Sequence, residues 1–403
     1  MRILVLNSGS STIKYRLFQM QDQSTLVRGV MDRIGLRGAY LKQTRHDGQE
    51  VSLSGENLDH QQAIEYLLAV LTDEEKGVLE RREDIEAVGH RVVHGGEKFT
   101  ASVCIDDEVL HQLHHFADLA PLHNPHNLKG IEASRQLMPQ AVNVAVFDTA
   151  FHHTLPKFAY LYGLPYVLYH RYGIRRYGFH GLSHQFVSER FRELTKVARK
   201  PLRLVTIHLG NGCSMAAVLD GKSVDTTMGF TPVEGLLMGT RSGDLDPAVI
   251  LHIMSREEIT RREAITLLNR HSGLVGISGV SSDMREVLAA MADGNTRAEL
   301  AVQVFTYRIK KYLGAFAAVL GGLDGVIFTG GIGENAQLIR QMAVERLEHL
   351  GLHLDEDKNL LTSGERLVST EKSPCEIWVI PTNEEWIIAR DTYQITCDKE
   401  NIS

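Results

Sequence analysis

The chain reads as an α/β protein of two domains, on three observations. Short apolar runs ending in Gly, Asn, Asp or Ser recur between amphipathic helical patterns. Polar, glycine-rich loops follow several of these runs, at the strand ends where open α/β sheets hold ligands. The length, 403 residues, exceeds what a single core usually supports.

Taken in order, the strand candidates are Ile3–Leu6, Ala87–Val93, Val142–Phe147, Leu204–Ile207, Val326–Phe328 and Ile377–Ile380. Apolar spacing of three and four predicts helices over His60–Leu71, Asn127–Leu137, Arg297–Leu320 and Leu338–Leu350. Aligning Gly9 with Gly212 lays Ile3–Tyr15 over Thr206–Val218, so strand, Gly-Ser loop and second strand occur twice, 203 residues apart. Two such halves predict two similar domains. No Pro/Ser-rich linker separates them, and the boundary is placed near Phe151.

Composition excludes several classes. With 43 basic and 50 acidic residues, a formal charge of −7 and no basic stripe, nucleic acid is not an expected partner. The four cysteines show no Cys-x-x-Cys spacing, so neither a disulfide framework nor a thiolate metal site is expected, which fits a reducing cytoplasm. Ile3–Leu6 is far shorter than a signal-peptide apolar region, and no run of about 18 apolar residues occurs, so no membrane association is expected.

Three loops carry anion-binding chemistry. Asn7-Ser8-Gly9-Ser10-Ser11-Thr12-Ile13-Lys14 offers hydroxyls, amides and the Lys14 ammonium where glycine lets the backbone approach an anion. His208-Leu209-Gly210-Asn211-Gly212-Cys213-Ser214 repeats the device, although Asn-Gly is equally the signal of a type I′ hairpin. Thr329-Gly330-Gly331-Ile332-Gly333-Glu334-Asn335 joins a strand to a helix whose N-terminus favours negative charge. Gly221-Lys222-Ser223 imitates the end of a Walker A loop, but Ala216 occupies the position of its first glycine, so a plain hairpin turn is expected.

Charged side chains, the cations beside glycines and the acids at strand ends, form the remaining signals. Arg91 and Arg241 sit in His90–Gly96 and Met238–Asp244, where a guanidinium could bind carboxylate or phosphate in a fork. Asp148 and Glu384 follow strand candidates and could hold magnesium or accept a proton; N-capping is the alternative use of Asn383 and Glu384. His180 lies among cations and glycines and could donate to a developing phosphoryl charge.

Together with Pro121-Leu122-His123-Asn124-Pro125, Phe147-Asp148-Thr149-Ala150-Phe151-His152, Ser281-Ser282-Asp283-Met284-Arg285 and Pro381-Thr382-Asn383-Glu384-Glu385, these motifs resemble the acetate kinase family over essentially the whole chain. The resemblance implies two related actin-like (ribonuclease H-like) α/β domains around a nucleotide cleft. Residues 1–150 would form the first, completed by a C-terminal helix over 385–403; residues 151–384 would form the second, with the nucleotide site and the interface of a homodimer. It implies ATP or ADP as cosubstrate and magnesium, with manganese a substitute.

Roles follow by the same resemblance. Asn7 and Glu384 would hold the metal. Lys14, His208, Leu209, Gly210, Asn211, Gly212, Asp283, Met284, Arg285, Gly331, Ile332, Gly333, Glu334 and Asn335 would hold the nucleotide. Arg91 would bind the substrate carboxylate, and Val93, Leu122 and Pro232 would line the pocket for its apolar end. His180 and Arg241 would stabilise the transition state, and Asp148 would be an active-site acid or base. Acetate is already ionised near pH 7, carboxylates having pKa values of about 4 to 4.5, so Asp148 is expected to orient an arginine or a metal-bound water. Departures are Thr12, Leu182, Cys213 and Thr227, of which Leu182 lacks a hydroxyl that could orient His180. The readings kept beside acetate kinase are a propionate or butyrate kinase and, from another class, a nucleotide-dependent interaction protein of the actin or chaperone type.

Overall fold

Fourteen strands organise the chain in a computed structural model that describes residues 1–116, 124–195 and 200–400. They form two sheets, in two compact units: residues 1–150 with 383–403, and residues 151–382.

The first unit holds β1 (Arg2–Ser8), β2 (Thr12–Gln19), β3 (Ser24–Asp32), β4 (Tyr40–Arg45), β5 (Glu50–Ser54), β6 (Ala87–Val92), β7 (Val103–Cys104) and β8 (Val142–Phe147). Their order across the sheet is β5-β4-β3-β2-β1-β6-β8-β7. β1 reads as an unbroken apolar run because it lies between β2 and β6 with both faces covered; Ile3 to Leu6 are almost wholly buried. β2 alternates instead, burying Ile13, Tyr15 and Leu17. The helix His60–Leu71 covers that face with Ala63, Ile64, Leu67, Leu68 and Leu71. It starts in a capping box: Asp59 accepts from the Gln62 amide at 2.9 Å and Gln62 accepts from the Asp59 amide at 2.9 Å.

The second unit holds β9 (Arg203–Leu209), β10 (Cys213–Leu219), β11 (Lys222–Thr226), β12 (Gly325–Thr329), β13 (Arg366–Leu367) and β14 (Glu376–Val379), in the order β11-β10-β9-β12-β14-β13. Val187 and Phe191, from the helix Gly181–Thr195, pack on Leu204, Ala216, Val218, Ile327 and Ile380.

Each unit contains the same core pattern. In the first, β1, β2 and β3 are antiparallel neighbours, and β6 and β8 run parallel beyond β1. In the second, β9, β10 and β11 are antiparallel, and β12 and β14 run parallel beyond β9. The repeat expected from sequence is therefore present, but its offset is corrected. Arg203 opens β9 where Arg2 opens β1, and Cys213 opens β10 where Thr12 opens β2, a spacing of 201 in both. Gly210, not Gly212, is the counterpart of Gly9; matching glycines by identity shifted the alignment by two residues.

All six expected strands are present within two residues of their bounds, and the helices His60–Leu71, Asn124–Leu137 and Thr296–Leu320 within three. The expected helix Leu338–Leu350 is shorter. It spans Gln337–Val344, and the chain then turns through left-handed Arg346 at φ 64° into a short 3-10 turn, Glu348–Leu350. The apolar spacing persists past the break because Leu347 still reaches the core, 7% exposed. Gly221-Lys222-Ser223 is the expected hairpin: Asp220 and Gly221, both with positive φ, turn β10 into β11. The Asn211-Gly212 loop is not a two-residue type I′ turn, since Leu209 pairs with Cys213 across three loop residues.

Candidate functional site

In the first unit, the C-terminal ends of β1, β6 and β8 bring four of the expected residues together. Arg91 on β6 donates through Nε to Asp148 Oδ1 at 3.2 Å and through Nη2 to Asp148 Oδ2. Its Nη1 donates to Asn7 Oδ1 on β1 at 3.4 Å, and Glu384 Oε2 lies 4.0 Å from its Nε. Asp148 is 1% exposed and directly follows β8, its amide donating to the Val92 carbonyl at 3.0 Å. Burial opposes charge on Arg91, yet Asp148 and Glu384 outweigh it and hold the guanidinium protonated. Glu384 itself is pushed up to about 7, mainly by burial, which the Arg91 charge only partly offsets and Asp148 reinforces.

Glu384 opens the helix Glu384–Glu400, with Asn383 as its cap: the Trp386 amide donates to Asn383 Oδ1 at 3.3 Å. Asn383 also accepts from Arg16 at 3.0 Å. Lys14 stands opposite Asn7 in the β1–β2 ladder, with its side chain exposed. Val93 is buried just past β6, and Leu122 lies outside the described residues.

Two asparagines that sequence reasoning gave no role fix these strand ends. Asn127 accepts from the Val93 amide at 3.2 Å and donates to the Ser8 carbonyl at 2.7 Å. Asn124 accepts from the His94 amide at 3.2 Å and donates to the His94 carbonyl at 3.0 Å. Both lie on the helix Asn124–Leu137, which approaches β1 so closely that a Cβ on Gly130 would meet Ser8 Oγ at 2.3 Å. The signal available in sequence was an asparagine pair on an otherwise apolar helical face.

The second unit gathers the other cations around the β9–β10 loop. A Cβ built on Gly212 would stand 3.3 Å from His180 Nε2 and 3.4 Å from Arg241 Nη1, so both groups border the loop closely. The His180 and His208 rings are 4.4 Å apart, and His208 Nδ1 lies 2.8 Å from Ser183 Oγ. Arg241 donates to the Pro232 carbonyl at 3.2 Å, and among the described residues it has no carboxylate partner. Burial depresses its guanidinium from the ordinary value, a cost that a bound anion would relieve. His180 is held at φ 55° immediately before the helix Gly181–Thr195. The question raised by Leu182 has a structural answer: Leu182 is buried, and His180 Nδ1 lies 2.9 Å from the Ser214 hydroxyl on β10.

Beside the loop opens a cavity of about 780 Å³, within the usual range for a small-molecule ligand. Gly210, Asn211, Asp283, Met284, Arg285, Gly331, Ile332 and Asn335 line it, with Leu288, Met291 and Leu338 supplying apolar wall. Asp283 caps the helix Met284–Ala292 and receives Arg285 Nη2 at 2.5 Å, and this bond holds its carboxyl down at about 2. His208, Leu209, Gly212, Gly333 and Glu334 do not line the cavity. Leu209 is wholly buried in the sheet, and Gly333 packs over Phe328. The Glu334 carbonyl instead accepts from Arg340 at 3.0 Å and Arg366 at 2.6 Å.

Arg340, 1% exposed, was not singled out in the sequence. It donates to the carbonyls of Gly333 at 2.9 Å and Asn359 at 2.8 Å, and to Asn359 Oδ1 at 2.7 Å. It thereby ties down the end of the glycine loop, with burial lowering its pKa to about 10.

The model of the acetokinase family matches residues 2–390. The chain belongs to the acetokinase family. An acetate kinase of Halothermothrix orenii is 53% identical over 395 residues, covering 98% of this chain and 99% of that relative. Among solved structures, an acetate kinase of Porphyromonas gingivalis superposes with a TM-score of 0.93 at 45% identity, and a propionate kinase of Francisella tularensis with 0.91 at 40%; each match covers 98% of this chain and 99% of the other. The acetokinase fold expected from sequence is thus the fold observed, with a mixed sheet and helices packed on it in each unit. Among the described residues no helix is long and apolar enough to cross a membrane, and no group of three His, Cys, Asp or Glu could hold a metal ion.

Proposed function

We propose that this acetokinase transfers the γ-phosphoryl group of ATP reversibly to acetate, giving acetyl phosphate and ADP by direct in-line displacement. The observation that carries this reading is Arg91, half-buried against Asp148 but with its Nη1 engaged, among the described residues, only by a long bond to Asn7. A guanidinium held in this way is a fork for a carboxylate. Asp148, bonded through both oxygens to Arg91, orients it and removes no proton. Acetate is already ionised, so catalysis consists of positioning and charge stabilisation. Arg241 and His180 supply the charge and hydrogen bonding for the transferring group. The cavity at Asn211, Asp283–Arg285, Gly331, Ile332 and Asn335 takes the nucleotide. Val93, Leu122 and Pro232 bound the methyl end of the substrate.

Magnesium suits the oxygen donors Asn7 Oδ1 and Glu384, whose buried carboxyl lacks a full counter-charge. A bound divalent cation neutralises phosphate charge and shapes the nucleotide; manganese offers the same chemistry. Magnesium normally keeps several waters and few protein ligands, in keeping with so small a donor set.

Trapping acyl phosphate as hydroxamate, with acetate, propionate and butyrate each offered with ATP or pyrophosphate, tests the reading. Acetate with ATP should give the highest kcat/KM. Turnover with pyrophosphate and none with ATP would remove the nucleotide assignment, and a preference for butyrate would remove the acetate assignment. Propionate is the second reading, supported by the structural match to a propionate kinase.

The protein is further proposed to be a cytoplasmic homodimer. Four free cysteines fit a reducing compartment. In the second unit, Phe158 at 89%, Leu164 at 55%, Tyr166 at 58%, Val167 at 53% and Leu251 at 66% exposure leave large apolar side chains for a second copy to cover. A monomer by light scattering would reject the dimer.

A further inference from the structure

His180 does not stand alone behind its Nε2 atom. Its Nδ1 lies 2.9 Å from Ser214 Oγ, and the same oxygen lies 2.8 Å from Nε2 of His184. Nδ1 of His184 lies 2.7 Å from Thr206 Oγ1. Thr206, His184 and Ser214 are fully buried, on β9, on the helix Gly181–Thr195 and on β10. Four side chains from three elements and the preceding turn thus form one chain of hydrogen bonds, Thr206 to His184 to Ser214 to His180.

The direction of that chain can be worked out. His184 is buried beside the His152 and His208 rings, and burial drives its pKa well below the ordinary histidine value, so its ring is neutral with one N–H. Ser214 has one proton and touches two imidazoles, so it donates to one and accepts from the other. Two arrangements satisfy these limits. In one, His180 Nδ1–H donates to Ser214, Ser214 to His184, and His184 to Thr206. The Thr206 proton is then stranded, because among the described residues His184 is the sole side-chain or backbone partner of its hydroxyl. A buried donor without an acceptor has lost its hydrogen bond to water and gained none in return. In the other arrangement every proton is used: Thr206 O–H donates to His184 Nδ1, His184 Nε2–H donates to Ser214, and Ser214 O–H donates to His180 Nδ1.

We infer that Thr206, His184 and Ser214 form a positioning relay that fixes neutral His180 as the Nε2–H tautomer, aiming an N–H donor at the loop of Gly212 and Arg241. The inference rests on the proposed role of His180 at the transferring phosphoryl group. The consequence is that His180 need not be charged to stabilise that group, since its neutral form already presents a donor there.

Ser214→Ala cuts the relay without removing an imidazole. Its kcat should fall about tenfold or more, with KM for ATP and for acetate within about twofold, because the lost interaction belongs to the transition state. Ser214→Thr, which keeps the hydroxyl, should recover most of the rate, and Ser214→Val should not. Unchanged kcat in folded Ser214→Ala would overturn the inference, as would equal rates for the Thr and Val variants. The direct reading is the tautomer itself, by nitrogen NMR of full-length protein labelled in histidine, with His180 assigned by its loss in His180→Gln. At about pH 9, where an unperturbed imidazole is neutral, the proton should be on Nε2. A proton on Nδ1 would overturn the relay even if the alanine variant failed to fold. An Nε2–H His180 in a protein inactive toward acetate would leave the relay standing and reject the proposed reaction.

Discussion

The Arg91 guanidinium grips the Asp148 carboxylate side-on, Nε at 3.2 Å from Oδ1 and Nη2 on Oδ2, at a carboxylate that is 1% exposed. One edge of the guanidinium is thereby fixed, and its Nη1, held by a 3.4 Å bond to Asn7 Oδ1, is the group proposed to meet the substrate carboxylate. Arg91→Ala should lose about 2 to 4 kcal/mol of transition-state stabilisation, read as kcat/KM in the hydroxamate assay. Arg91→Lys should recover little, because an ammonium cannot hold Asp148 and a substrate carboxylate in the same plane. Removing the arginine also leaves Asp148 buried without its partner, so thermal unfolding of Arg91→Ala should come earlier, by about 3 to 5 kcal/mol at neutral pH. Near-normal turnover in a folded Arg91→Ala protein would reject the role.

Glu384 predicts a pH dependence. Its folded pKa is raised from 4.5 to about 7, so the folded state retains a proton that the unfolded chain has already released. That contribution is fully present below the unfolded value and is lost as pH rises from about 4.5 through about 7. Glu384→Gln should therefore make the ligand-free protein more stable than the parent at pH 8, by about 1 to 3 kcal/mol, with the gap closing toward pH 5. Magnesium should raise the melting temperature of the parent at pH 8 and leave that of the variant unmoved. A gap that does not change with pH would show that burial does not perturb this carboxyl.

Arg340 predicts a separation of substrates. Its guanidinium holds the carbonyls of Gly333 and Glu334 at the end of the loop that lines the cavity proposed for the nucleotide. Arg340→Met should raise KM for ATP about tenfold while KM for acetate stays within about twofold, and should cost about 2 to 4 kcal/mol of stability by leaving buried acceptors unpaired. Equal rises in both KM values would mean that the arginine supports the fold at large rather than this loop.

Val93 predicts specificity. Its side chain is 6% exposed and its amide is tied to Asn127, so its backbone cannot easily withdraw. A fitted methylene gains about 0.8 kcal/mol, whereas an overpacked one costs about 1 to 3 kcal/mol, so a rigid wall favours acetate. Val93→Ala should shift the propionate-to-acetate ratio of kcat/KM upward by about 1 to 3 kcal/mol. An unchanged ratio would show that Val93 is not the wall.

Sequence by itself determined the α/β class, all six expected strands and the glycine-rich loops at their ends. A buried strand with parallel neighbours on both sides, such as β12, reads as a short apolar run, and glycine lets a backbone approach a ligand closely. Arg91, Asp148, Asn7 and Glu384 were legible one by one as polar residues at strand ends. Their assembly was not, because Glu384 reaches Arg91 only after the helix Glu384–Glu400 returns to the first unit from the end of the sequence. Tertiary structure alone decided the 201-residue offset of the repeat, which depends on strand ladders rather than glycine identities. The same holds for the support given by Asn127, Ser214, His184 and Arg340. Each acts through hydrogen bonds to atoms distant in sequence, such as Asn127 to the Ser8 carbonyl, and such bonds leave no periodic mark on a helix or strand. A buried polar side chain is specified by the partner it meets, and that partner is fixed only when the sheets form.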